Sequence, residues 1–138
     1  MSRLAALSLL SLALALGACS ADRTTGIAGG SLVGTWSLQS INNITLPYLL
    51  AQSGANKLEL MSDVIDAADG GSFTDATIVR STLSGAVTMD TIPNTGSYVL
   101  AGSTATFTFD SDSSVAHGTL SGNRLTLNDS GVNLLYTR

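Results

Sequence analysis

A chain of 138 residues with ten acidic and six basic side chains and 44% hydrophobic residues has room for one hydrophobic core and one domain. Its cations stand singly, which excludes the clustered basic face that phosphate neutralisation requires, so no nucleic acid is expected among its partners. One cysteine excludes an internal disulfide, and with only one histidine, His117, beside it no His–Cys metal cluster can assemble. No metal or other cofactor is expected.

The first element is a delivery segment. Leu4 to Leu16 is interrupted only by Ser8 and Ser11, follows Arg3 and precedes small residues. The run is shorter than the roughly 20 apolar residues needed to span a bilayer, and its order is that of a secretory signal. Leu16-Gly17-Ala18-Cys19 resembles the lipobox of bacterial lipoproteins. The resemblance implies cleavage after residue 18 and lipidation of Cys19 by several acyl chains, palmitate among them. At about 0.8 kcal/mol per buried methylene, several chains hold durably where one would not. Ser20 stands where many inner-membrane lipoproteins carry aspartate, which leans the expected address towards the outer membrane, facing the periplasm. The expected organisation is a signal peptide over 1–18, a flexible tether over 19–31 rich in small residues, and a single domain over 32–138. After removal of residues 1–18 the chain is acidic, with the ten acids set against Arg23, Lys57, Arg80, Arg124 and Arg138.

From residue 32 onward the pattern is period-two alternation broken by glycine, asparagine and aspartate turns. Trp36, Leu38 and Ser40 share one face of the first strand. Tyr48 to Gln52 reads either as a short edge strand or as one turn of helix, since Pro47 disfavours a central strand. Leu58, Leu60 and Val64 are expected on one face of the next strand, with Glu59 and Asp63 on the other, while Met61 and Ile65 disturb the alternation in the manner of a bulge. Phe73 to Leu83 and Ala86 to Ile92 form a long hairpin about Ser84-Gly85, and Pro93 to Gly96 is expected to bend the chain. Strands over Tyr98–Ala101, Ala105–Asp110, Val115–Leu120, Arg124–Leu127 and Asn133–Thr137 follow at short intervals. Short links favour a small, closed, antiparallel up-and-down β-barrel of eight or nine strands over a sandwich, and the fold class is all-β.

Gly34-Thr35-Trp36, at the start of the first strand, resembles the glycine, any residue, tryptophan signature of the lipocalins, and residues 32–138 are similar to short bacterial lipocalin-like (calycin) lipoprotein domains. The resemblance implies that Trp36 plugs one end of the barrel with an arginine across its ring. Arg138 is the first match for that arginine and Arg124 the second.

Tyr98, Phe107, Phe109 and Tyr136 are the candidate ligand-binding residues, with Phe73 a further aromatic that could line a cavity. The two tyrosines bring hydroxyls that could orient a bound molecule. Asp110 to Ser114 has oxygens at alternate positions but lacks the glycine and glutamate of a calcium loop, and reads as a hairpin turn. No Gly-x-Ser-x-Gly elbow is present. The expectation is therefore a membrane-anchored, non-catalytic binding module for a small hydrophobic or amphipathic molecule. The alternative is a protein-interaction or protease-inhibitor module of the cell envelope, with a filled barrel and with Tyr48-Leu49-Leu50 as an exposed patch.

Overall fold

The computed structural model describes residues 30–138, so the signal peptide 1–18, Cys19 and all but the last two residues of the tether lie outside the described residues. Ten strands follow: β1 (Gly34–Ile41), β2 (Ile44–Thr45), β3 (Tyr48–Ser53), β4 (Asn56–Ala67), β5 (Ser72–Leu83), β6 (Ala86–Ala101), β7 (Thr104–Phe109), β8 (Val115–Ser121), β9 (Arg124–Asp129) and β10 (Val132–Thr137). Every pairing is antiparallel, and from β4 to β10 each strand pairs with the next. β1 then pairs with β10 on one side and with the end of β4 on the other, which closes an eight-stranded barrel. β2 and β3 lie outside that ring, as a two-residue partner of β1 and an edge partner of β4.

Local chemistry explains the hairpins. Asn42-Asn43, Ser84-Gly85 and Ser130-Gly131 all take positive φ at both positions, the conformation whose twist matches that of the flanking strands. Alternation then sorts the faces, as β9 shows, with Leu125 and Leu127 buried and Thr126 and Asn128 exposed. The buried set runs from Leu32, Trp36, Leu38 and Ile41 through Ile65, Phe73 and Phe107 to Leu120, Leu125, Leu127 and Tyr136. Each such large apolar side chain removed from water contributes about 1.5–3 kcal/mol. Gly96 is dictated by close approach, since a Cβ there would strike the Thr108 carbonyl and the Phe73 ring.

The structure differs from the sequence pattern in two places. β6 does not bend at Pro93 but runs unbroken for 16 residues to Ala101. Proline is tolerated because its missing N–H falls on an unpaired edge. In β4 the register shifts between Leu60 and Ser62, so Met61 is the extra residue of a bulge. Beyond it the faces exchange: Asp63, Ile65 and Ala67 turn inward and are buried, and Val64 turns outward, the reverse of the expected order for Asp63 and Val64. The segment Tyr48–Ser53, open between strand and helical turn in the sequence, is an edge strand.

Candidate functional site

β4, β5 and β6 are longer than the barrel needs. β1 pairs with β4 only over Val64–Ala67, and β7 pairs with β6 only from Gly96 onward. Beyond those points β3, β4, β5 and β6 continue as a four-stranded wing, rising from the end of the barrel opposite Trp36. Ala86 to Asn94 pair with β5 alone among the described residues. Leu49, Leu50, Leu83, Val87, Met89 and Ile92 on this wing are six of the eleven large apolar residues left exposed among the described residues, so apolar surface is concentrated there. On the inner face of its tip, Ala51, Leu58 and Leu83, with Ser53, Asn56 and Ser81, line an open depression of about 290 Å³. On the outer face Arg80 is paired with Glu59, Nη2 to Oε2 at 2.8 Å and Nε to the same oxygen at 2.9 Å.

Where wing meets barrel, the interior turns polar. Tyr136 donates its hydroxyl to Asp63 Oδ2 at 2.6 Å, and Thr77 donates to Asp63 Oδ1 at 3.1 Å. Asp75 lies beside them, with Asp63 and Asp75 only 8% and 7% exposed. Burial first, then the hydrogen bond and the charge of Asp63, push the Asp75 carboxyl up from 3.8 to about 8, against smaller opposing hydrogen bonds from Asn94 and Ala76. Asp75 Oδ1 has no conventional donor. A proton held on Asp75 makes its carboxyl a donor towards Asp63 and avoids a bare charge at a buried, unpartnered oxygen. The Tyr136 hydroxyl is held well above its ordinary range, by burial first and by the Asp63 charge next, and so stays a donor. These side chains bind β4, β5 and β10 to one another. None of Asp63, Asp75 and Tyr136 borders the wing depression, so the cluster serves as a polar latch between strands.

The residues singled out in the sequence fall into separate places. Trp36 is fully buried, donates Nε1–H to the Leu32 carbonyl at 2.7 Å, and carries the Arg138 guanidinium over its ring at 4.5 Å. Arg138 Nη1 also donates to the Val33 carbonyl at 2.9 Å. Arg124 is exposed at the start of β9. Phe107 is fully buried and Tyr98 and Phe109 are half-buried, with the Phe73 ring at 5.2 Å from both Phe107 and Phe109, edge to face. The Tyr98 hydroxyl donates to the Ala68 carbonyl at 2.7 Å. Tyr136 is drawn away from this group into the acid latch. None of the four lines the wing depression. His117 is exposed on the outer face, its Nδ1 3.4 Å from Thr106 Oγ1. In the Asp110–Ser114 turn both carboxylates are held locally: Asp110 accepts from Thr95 of β6, and Asp112 accepts from Ser114, whose side chain first and N–H next lower its pKa.

Sequence reasoning missed Asp63, Asp75 and the wing. The available signals were aspartates inside apolar strands and the unequal lengths of β5 and β6 against β7 to β10. No protein-family model matches the sequence, and no curated protein matches it. Among solved structures, the chain is similar to an uncharacterized protein from Bacteroides eggerthii at 13% identity and a TM-score of 0.47, over 78% of this chain and 99% of that one.

Proposed function

We propose that this is a lipid-anchored, lipocalin-like, non-catalytic interaction module of the bacterial cell envelope, in which the barrel is a filled support and the wing is the contact surface. The observation that carries the reading is the distribution of apolar side chains. Trp36, Phe107 and Leu125 are fully out of water inside the barrel, while Leu49, Leu50, Leu83, Val87, Met89 and Ile92 remain in water on the wing. A sheet that exposes this much apolar surface is suited to covering by a partner. The anchor at Cys19 would hold the domain at the membrane, with the outer membrane as the proposed address.

The test is photocrosslinking from a probe placed at Leu49, and separately at Leu50, in the full chain in its own membranes. Recovery of one and the same envelope protein from both positions, competed by purified unlabelled chain, is the expected result. An absence of adducts from both would sink the reading. A second reading, binding of a small amphipathic molecule, is favoured by the wing depression of about 290 Å³, whose apolar residues Ala51, Leu58 and Leu83 are flanked by Ser53, Asn56 and Ser81. Native mass spectrometry of chain and Leu58→Trp variant after exposure to lipids separates the two. An adduct that the variant loses supports a bound small molecule, and none in either supports the interaction module.

A further inference from the structure

The free edge of β6 has a chemistry of its own. Ser84-Gly85 is a two-residue turn, so Leu83 and Ala86 are the hydrogen-bonded pair that closes the hairpin. By alternation Thr88, Asp90, Ile92 and Asn94 also bond to β5, and Val87, Met89, Thr91 and Pro93 direct their backbone groups away from it. The same parity shows further along, where the Thr95 carbonyl accepts from the Asp110 N–H at 2.9 Å, across the gap that β7 then fills. From Val87 to Pro93 no described strand fills it.

Exposed edges are ordinarily blunted by lysine or another charge beside the unpaired groups. The side chains in line with these groups, Val87, Met89 and Thr91, carry no charge, and Val87 and Met89 are 59% and 55% exposed. The one charge on this stretch of β6, Asp90, lies on the inner face in register with Val79, and on the outer face Arg80, in register with Met89 one strand in, is paired with Glu59.

We propose that this edge pairs with the same edge of a second copy of the chain, antiparallel about a two-fold axis at Met89. In that register Met89 meets the partner's Met89, and Val87 meets the partner's Thr91 on both sides of the axis. About six backbone hydrogen bonds form, and each outward N–H finds a carbonyl. Asp90 faces the partner's Thr88, a residue that can donate to it. The neighbouring registers are worse, since an axis at Thr88 sets Thr91 opposite the partner's turn residue Gly85 and leaves only the two Val87–Met89 pairs within the strands. An axis at Asp90 sets the two aspartates against each other, and an axis at Thr91 places Met89 opposite the partner's Pro93, which has no N–H to give. The edge is thus self-complementary in one register, which favours a copy of itself over an unrelated strand. The pairing joins two wings into one continuous eight-stranded sheet. It assigns Val87 and Met89 to a second copy and leaves the Leu49–Leu50 surface at the opposite edge to the proposed envelope partner.

The experiment uses the full chain in mild detergent with a photoreactive residue at Met89. Irradiation is expected to give a product of twice the mass of the purified chain, with the crosslink mapping to the partner's Val87–Thr91. A probe at Val99, exposed on the outside of the barrel, is the control and gives none. An adduct mapping elsewhere, an adduct with another protein, or no more dimer than the Val99 control would overturn the proposal. Thr91→Pro removes an N–H from the free edge without touching a bond to β5, so it is expected to abolish the dimer while Trp36 fluorescence is unchanged. Met89→Lys, which alters no backbone group, is expected to do the same by bringing two like charges together at the axis. Dimer that persists in both variants overturns the register and with it the proposal.

Discussion

The end of the barrel around Trp36 and the wing at the opposite end are built from the same long strands, yet an apolar side chain does opposite work in the two places. Beside Trp36, β4 is flanked by β1 and β5, and the side chains turned inward meet others across a closed ring. In the wing, β6 has β5 on one side and nothing described on the other, and its Met89 remains 55% exposed. Burial makes the first region stable, and lack of closure leaves the second in water. What an apolar residue contributes here is decided by whether its face is enclosed by the closed ring, rather than by its own hydrophobicity.

Substitutions in the two regions should therefore separate widely. Trp36→Ala removes the largest fully buried side chain among the described residues and the ring beneath Arg138, and is expected to cost about 3–5 kcal/mol in urea unfolding followed by circular dichroism. A cost below about 1 kcal/mol, the range of surface changes, would mean that the barrel is not sealed by this residue.

Next in size is the latch at the junction. Between 3.8 and about 8 the folded chain holds a proton on Asp75 that the unfolded chain has already released. Stability should therefore be fully present below that window, decline as pH rises through it, and level off above. Asp75→Asn keeps a donor towards Asp63 but cannot titrate, so its urea midpoint should change much less between pH 5 and pH 8.5 than that of the parent. Equal slopes in the two proteins would place the titration elsewhere.

Arg138→Ala removes a cation from an aromatic face together with one hydrogen bond to a backbone carbonyl, and is expected to cost about 1–2 kcal/mol. Arg138→Lys should recover only part of that, because an ammonium cannot lie flat on the indole while bonding Val33. The smallest effect belongs to the wing, where Leu83→Ser is expected to change stability by no more than about 0.5 kcal/mol. A loss as large as that from Leu125→Ala, expected at about 2–5 kcal/mol, would erase the contrast between the regions.

The closed barrel was legible in the sequence because its information is local. Asn42-Asn43, Ser84-Gly85 and the alternation in β9 each state a turn or a face within a few residues. The wing was not legible, since whether Ala86–Asn94 has a second neighbour depends on where β7 stops, and that is set by distant pairing. Pro93 reads as a bend because proline breaks paired strands, and only an unpaired edge makes it harmless. The acid latch was hidden by the bulge. Asp63 alternates with the wrong neighbours until Met61 is set aside, and its partner Tyr136 lies 73 residues away. The aromatics read as a cavity lining are correctly apolar, but residue type cannot say whether a ring borders space or fills it. Phe73 does both, packing edge-on against Phe107 and Phe109 while bordering an open depression of about 260 Å³ with Ala67, Ala68 and Thr74.

The bulge at Met61 also fixes where this chain tolerates changes of length. Deleting that one residue would rotate the following half-strand by a step, sending Asp63 and Ile65 out to solvent and drawing Val64 and Asp66 inside, so the barrel could not close around them. An added residue at Ser84-Gly85, at the far tip of the wing, would disturb no interior face. Insertions and deletions among natural variants of this domain should accordingly gather at that tip and be absent from the middle of β4.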